Sequence, residues 1–166
     1  MKTLLILRHA KSSWKNAGLA DHDRPLNKRG ERDAPRMGSL LREEMLVPDL
    51  IISSSARRAR MTVEAVVTES GYSGEVRFSR ELYAAGPEAY IETLQALEDG
   101  LECVMVVGHN PDLEELLEML SGEAEILPTA ALSQVELDID HWQDLPIEAD
   151  NPPGKLVALW RPRELG

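Results

Sequence analysis

Residues 4–14 read LLILRHAKSSW. A strand at a protein surface alternates apolar and polar residues. The run Leu4–Leu7 does not alternate, so both of its faces should be covered, as in a parallel sheet flanked by helices. Ligands of such sheets bind outside the carboxyl ends of the strands, which is where Arg8 and His9 would sit. Taken alone, the pair reads more simply as a strand end followed by a polar loop residue. The rest of the chain has to decide between the two.

Working outward, further strands are expected at Leu50–Ser53, Glu75–Phe78, Cys103–Gly108, Gln134–Ile139 and Leu156–Trp160, besides Thr3–Arg8. CVMVVG (103–108) is a continuous apolar run like the first. QVELDID (134–140) alternates, so one of its faces should be exposed or it should lie towards an edge. Helical spacing of apolar residues predicts helices over 28–45, 56–70, 87–98 and 112–121. Pro35 is awkward inside the first of these and predicts a kink or a late regular start. Residues 141–155 read as a loop, and the last two strands as antiparallel neighbours. Strand and helix alternate throughout, which predicts a three-layer α/β/α sandwich with a mostly parallel central sheet. No internal boundary is visible, so 1–166 reads as a single domain.

The 166 residues carry a net charge of −11, which disfavours a nucleic-acid partner or an anionic membrane surface. That charge is uneven. Residues 1–62 hold 13 Lys+Arg against 7 Asp+Glu, a net of +6 in an acidic chain. A local positive pocket suits a small anion better than a polyanion. No apolar run is long enough to span a bilayer. Lys2 is the only early basic residue and no small-residue cleavage site follows the first apolar run, so a cytoplasmic location is expected. The one cysteine, Cys103, rules out an internal disulfide and reads as a buried, inert thiol.

Two further segments repeat the theme of the first. PDLIISSSARRARMT (48–62) is a strand, three serines and a helix. Ser53, Ser54 or Ser55 can cap that helix. Arg57 and Arg58 in its first turn oppose the helix dipole, which makes sense if an anion binds there. In VMVVGHNPD (104–112), Gly108 permits a tight turn, Asn110 is a plausible N-cap and Pro111 suits the first helical position. His109 then mirrors His9 at the end of another buried strand. Together the segments bring Arg8, His9, Arg58 and His109 to one edge of one sheet. Two arginines and two imidazoles suit a phosphoryl group: the guanidinium forks take its oxygens, and one neutral imidazole can attack phosphorus. The other ring nitrogen of that imidazole then needs a hydrogen-bond acceptor. No metal or other cofactor is required, because the arginines supply the positive charge. His22 between Asp21 and Asp23 reads as a surface loop near the entrance. His141 and Trp142 have no expected chemical role.

The chain resembles the histidine phosphatase superfamily, the phosphoglycerate-mutase-like fold. The Arg-His pair, the Ser-Ser…Arg-Arg-Ala…Thr segment and the Gly-His-Asn segment occur in the family's order, and PLNKRGERDA (25–34) is similar to its Leu-Thr…Gly…Ala stretch. LRHAKSSW and DHDRPLNKRG resemble the short, SixA-type phosphohistidine phosphatases. The resemblance implies that His9 is the nucleophile and that Arg8, Arg58 and His109 bind and polarise the phosphoryl group. Arg58 is preferred to Arg57 because Arg58-Ala59 with Thr62 fits the family spacing. Lys11, Ser12, Asn110 and Arg57 are candidates to bind substrate. Ala10 stands where the family has glycine. The family's acidic proton donor has no secure counterpart: Glu81 is the nearest by position, with Asp23 and Asp21 as others. A missing acid would favour a phosphoramidate, whose amine leaving group needs little protonation. The implied function is a metal-independent phosphatase acting on phosphohistidine of a partner protein. The alternatives are a small-molecule phosphomonoesterase and, from another class, an inactive phosphate-binding module.

Overall fold

The computed structural model describes residues 1–147 and 150–165. Glu148 and Ala149, in the expected 141–155 loop, and Gly166 lie outside the described residues. Strands β1 (Lys2–Arg8), β2 (Leu50–Ser54), β3 (Val76–Ser79), β4 (Cys103–Gly108), β5 (Leu132–Leu137) and β6 (Gly154–Trp160) form one sheet in the order β3-β2-β4-β1-β5-β6. The first four in that order pair in parallel, whereas β5 runs antiparallel to both β1 and β6. Helices α1 (Lys28–Glu43), α2 (Arg57–Ser70), α3 (Glu81–Ala84), α4 (Pro87–Gln95) and α5 (Asp112–Ser121) complete an α/β sandwich. No described helix is long and apolar enough to cross a membrane.

The unbroken apolar run of β1 has a direct cause. Leu4 and Ile6 join the core beneath α4 and α5, with Tyr90, Leu94 and Leu116. Leu5 and Leu7 join the opposite core beneath α1 and α2, with Met37, Leu41 and Val63. All four are at most 1% exposed, and each contributes roughly 1.5–3 kcal/mol by burial. The strand is thus clamped from both layers, and its carboxyl end is fixed in space. β5, next to the edge strand β6, keeps Gln134 and Glu136 half-buried between buried Ser133, Val135 and Leu137, in line with its alternation.

Three local expectations change. α1 starts at Lys28, with the Asn27 side chain accepting from the Gly30 amide, and runs through Pro35 without a late start. None of the three serines caps α2: Ala56 is the N-cap, and the Ser54 and Ser55 hydroxyls bind histidines instead. α5 begins at Asp112 with Pro111 at the N-cap. The Asn110 amide is drawn away to Glu114 Oε2 and the Leu127 carbonyl, both at 2.8 Å.

Gly30 holds α1 against the loop after β1. A Cβ at this position would collide with the backbone of Lys11. Gly30→Ala should therefore destabilise the fold by about 1–3 kcal/mol, the usual cost of overpacking against backbone. Urea denaturation of the variant measures this, and an unchanged midpoint would show that the loop yields freely.

Candidate active site

The end of β1 is held on every side. The Arg8 and His9 amides donate to the Ala131 and Gly108 carbonyls, each at 3.0 Å, and the Ala130 amide donates to the carbonyls of both Arg8 and His9. One residue on, the Ala10 amide donates to Thr62 Oγ1 at 3.0 Å, and the Thr62 hydroxyl donates to the Arg58 carbonyl at 2.7 Å. Thr62 therefore locks the loop after β1 to the first turn of α2. His109 follows β4, which lies between β1 and β2 in the sheet. Three adjacent strand ends thus deliver His9, Ser54 with Arg58, and His109 to one place.

The two imidazoles are buried, with ring centroids 5.0 Å apart. His9 Nδ1 lies 2.7 Å from the Ala10 carbonyl oxygen, so Nδ1 carries the proton and donates it, and the lone pair is on Nε2. Burial is the main cause that pushes His9 down to about 3. Burial, with the nearby Arg58 charge, pushes His109 down to about 4. Both rings are neutral at pH 7. His109 Nε2 lies 2.7 Å from Ser54 Oγ, and its Nδ1 lies 3.4 Å from Arg58 Nη2.

Arg8 Nη1 donates to the Leu127 carbonyl at 2.9 Å. Arg58 donates from Nη1 to the Asp21 carbonyl at 2.8 Å and from Nη2 to Asp21 Oδ2 at 3.1 Å. The Nε–H groups of both arginines are buried and have no partner among the described residues. Such donors are rare in folded proteins and ask for an acceptor.

None of the three candidate acids, Asp21, Asp23 and Glu81, lines the cavity around the two histidines. The Asp21 carboxylate accepts from the Tyr83 hydroxyl at 2.6 Å, from Arg24 Nε at 3.0 Å and from Arg58, which together hold it far below the usual carboxylate range. It cannot serve as a proton donor. Asp23 points to solvent beside His22, and Glu81 is exposed at the start of α3, so neither lines the site. The nearest positional match, Glu81, fails because α3 buries Leu82 and turns Glu81 outward. The side chain from that segment that packs against a site residue is Tyr83, whose ring meets the His109 ring edge-on at 5.5 Å without lining the cavity itself.

Arg8, His9, Lys11, Ser12, Arg58, His109 and Asn110 line one cavity of about 290 Å³. Arg57 does not. Successive helix residues point about 100° apart, and with Arg58 turned in, Arg57 is exposed on the outer side of α2. Trp14, Arg24 and Thr129 complete the lining. Trp14 is 71% exposed, with the Arg24 guanidinium 3.5 Å over its ring. Arg24 in turn donates to Ser12 Oγ at 2.7 Å. Sequence reasoning missed Trp14, Arg24 and Tyr83. An aromatic in a polar stretch beside a suspected site was the available signal for Trp14; nothing in the sequence marked Thr129. Among the described residues no three His, Cys, Asp or Glu side chains are grouped to hold a metal ion. Cys103 lies away from the cavity, and burial pushes its thiol up to about 12. Trp142 is buried with its indole donating to the Leu101 carbonyl at 2.7 Å, and His141 pairs with Asp99.

A family model described as the histidine phosphatase superfamily (branch 1) matches residues 4–83. An uncharacterised protein of Mycobacterium tuberculosis is 34% identical over 150 residues, covering 84% of this chain and 91% of that protein. A crystal structure of a putative phosphohistidine phosphatase SixA from Agrobacterium tumefaciens superposes with a TM-score of 0.82 at 29% identity, covering 96% of this chain and 97% of that one. A 2,3-bisphosphoglycerate-dependent phosphoglycerate mutase of Bifidobacterium longum is 41% identical over 58 residues, 34% of this chain and 24% of the mutase. The family match spans the segments that supply His9 and Arg58, and the full-length likeness extends it past His109: the chain belongs to the histidine phosphatase superfamily.

Proposed function

We propose that His9 takes the phosphoryl group from substrate and passes it to water, making the chain a phosphatase with a phosphohistidine intermediate. The observation that carries this is the His9 ring. Its Nδ1–H is engaged by the Ala10 carbonyl, and burial keeps it neutral, so Nε2 holds a lone pair in a cavity walled by cations. Nε2 attacks phosphorus while the bond to the leaving group breaks, and the leaving group departs with the electron pair. Water then attacks the phosphohistidine, the P–N bond breaks and Nε2 recovers its lone pair. Arg8 and Arg58, which line the cavity, set their guanidinium charges against the charge on the phosphoryl oxygens, the role that would otherwise fall to a metal ion.

For the substrate, small phosphomonoesters are the first reading. The cavity is small and strongly basic, with Lys11 and Arg24 beside the two phosphoryl arginines. The local likeness to a mutase of a small phosphorylated acid supports the same class. One observation favours the second reading, phosphohistidine on a partner protein: no carboxyl group lines the described cavity. An alkoxide leaving group needs a proton, and an imidazole needs less help. The likeness to the Agrobacterium protein points the same way.

The test is phosphate release, in EDTA, from a panel of small phosphomonoesters and from a phosphohistidine-bearing protein. Release from small esters that EDTA does not change supports the first reading. Release from the phosphoprotein alone moves the assignment to the second. Loss of activity in EDTA with recovery on adding magnesium would show that the arginines do not suffice, and silence on every substrate would end the phosphatase reading.

A further inference from the structure

Ser54 ends β2 and is fully buried. Its hydroxyl oxygen has two neighbours: the Ala56 amide, which donates to it at 3.2 Å, and His109 Nε2 at 2.7 Å. A serine hydroxyl has one hydrogen to give. If Nε2 carried the ring proton, it would donate to Ser54 Oγ, and the serine hydrogen would be left buried with no acceptor among the described residues. If the serine donates to Nε2, its hydrogen and its acceptor capacity are both used. The His109 proton then sits on Nδ1. The cost is the longer contact: Arg58 Nη2, 3.4 Å from Nδ1, can donate only to an unprotonated Nδ1, so Nδ1–H and the second Nη2 hydrogen of Arg58 are both left to find an acceptor, on residues that line the cavity. An unpaired donor costs least where an anion or water can reach it and most where nothing can.

We propose that Ser54 is a positioning residue: by donating to His109 Nε2 it fixes the ring proton on Nδ1, so that His109 and Arg58 converge as donors on one phosphoryl oxygen. His109 is neutral at pH 7 and has only one N–H, so its placement decides whether the ring can donate to substrate at all. This also gives a reason for serine at a place where its capping function is absent. The catalytic part rests on the phosphatase reading; the tautomer does not.

Long-range 1H–15N spectra of the full chain at pH 7, with His109→Asn used to assign the signal, report which ring nitrogen holds the proton. The expected result is the Nδ1–H form in wild type and a shift towards Nε2–H in Ser54→Ala. With a substrate identified, Ser54→Ala should lower kcat for phosphate release about 10- to 100-fold, the scale of a weakened transition-state donor, with KM little changed. Ser54→Thr, which restores the hydroxyl, should recover both the tautomer and kcat. An Nε2–H ring in wild type overturns the proposal, as does a Ser54→Ala protein with wild-type tautomer and kcat. If Ser54→Ala does not fold, the wild-type spectrum still decides. If wild type releases phosphate from nothing, the phosphatase reading fails while the tautomer is still measured.

Discussion

His9→Ala is expected to lower phosphate release by about 10⁴-fold or more, the scale seen when a covalent nucleophile is removed from a site that is otherwise intact. Among the described residues no second nucleophile is placed to take over. His109 Nε2 is occupied by Ser54, and its ring faces Arg58 and Tyr83. Cys103, the one thiol, lies outside the cavity and is held protonated by burial. The arginines and His109 keep their backbone anchors without the His9 ring, because those anchors are the Ala10 amide, the Gly108 carbonyl and Thr62. The variant should therefore still bind inorganic phosphate, which calorimetry can follow. Rapid quench of wild type should trap phosphate on His9 in an acid-labile, base-stable form, and the variant should trap none. Release that persists in His9→Ala would mean that water, or another residue, attacks phosphorus directly.

The backbone of this site was legible in the sequence because its causes are local. A non-alternating apolar run has one physical reading, burial on both faces, and three such runs each ended on His or on a serine-arginine turn. Once β1, β2 and β4 are neighbours, His9, Arg58 and His109 must meet. What the sequence hid depends on side-chain choices made across the fold. Three consecutive serines before a helix look like a cap, yet Ser54 and Ser55 bind His109 and His22, which lie 55 and 33 residues away. Asp21 looked like a possible acid. It is instead the acceptor that holds Arg58, Arg24 and Tyr83 together, and nothing local announces a partner 62 residues on. Arg57 and Arg58 were separable only by family spacing until the turn of α2 was known. Trp14 is a different case: its exposure is unusual for its size, and only the stacked Arg24 shows that the ring is held in place at the cavity.

Stability should fall steeply as the pH drops from 6.5 towards 4.5, and the two site histidines should account for most of the slope. In the unfolded chain both titrate near 6.5. In the fold, burial holds His9 at about 3 and His109 at about 4. Between the unfolded and folded values the unfolded state binds more protons, so stability rises with pH across that window and is lost as pH falls. Above 6.5 neither state binds the protons and the effect vanishes. Each histidine contributes about 1.4 kcal/mol per pH unit inside the window. From pH 7 to 4.5 the pair should therefore cost about 5 kcal/mol, as large as the whole stability of a marginal domain. The lowered Asp21 acts only below the unfolded carboxylate range, near 3.9, whereas burial raises Asp112, which takes its proton first in the fold and so opposes the histidine slope at the acid edge of the window. Urea denaturation at pH 7, 5.5 and 4.5 measures the slope in wild type, in His9→Asn and in His109→Asn. Each single variant should lose about half of it, and the double variant nearly all. A flat profile in wild type, or a slope that survives in the double variant, would mean that these rings take up protons in the folded protein. His9 would then lose the free lone pair on which the covalent mechanism depends.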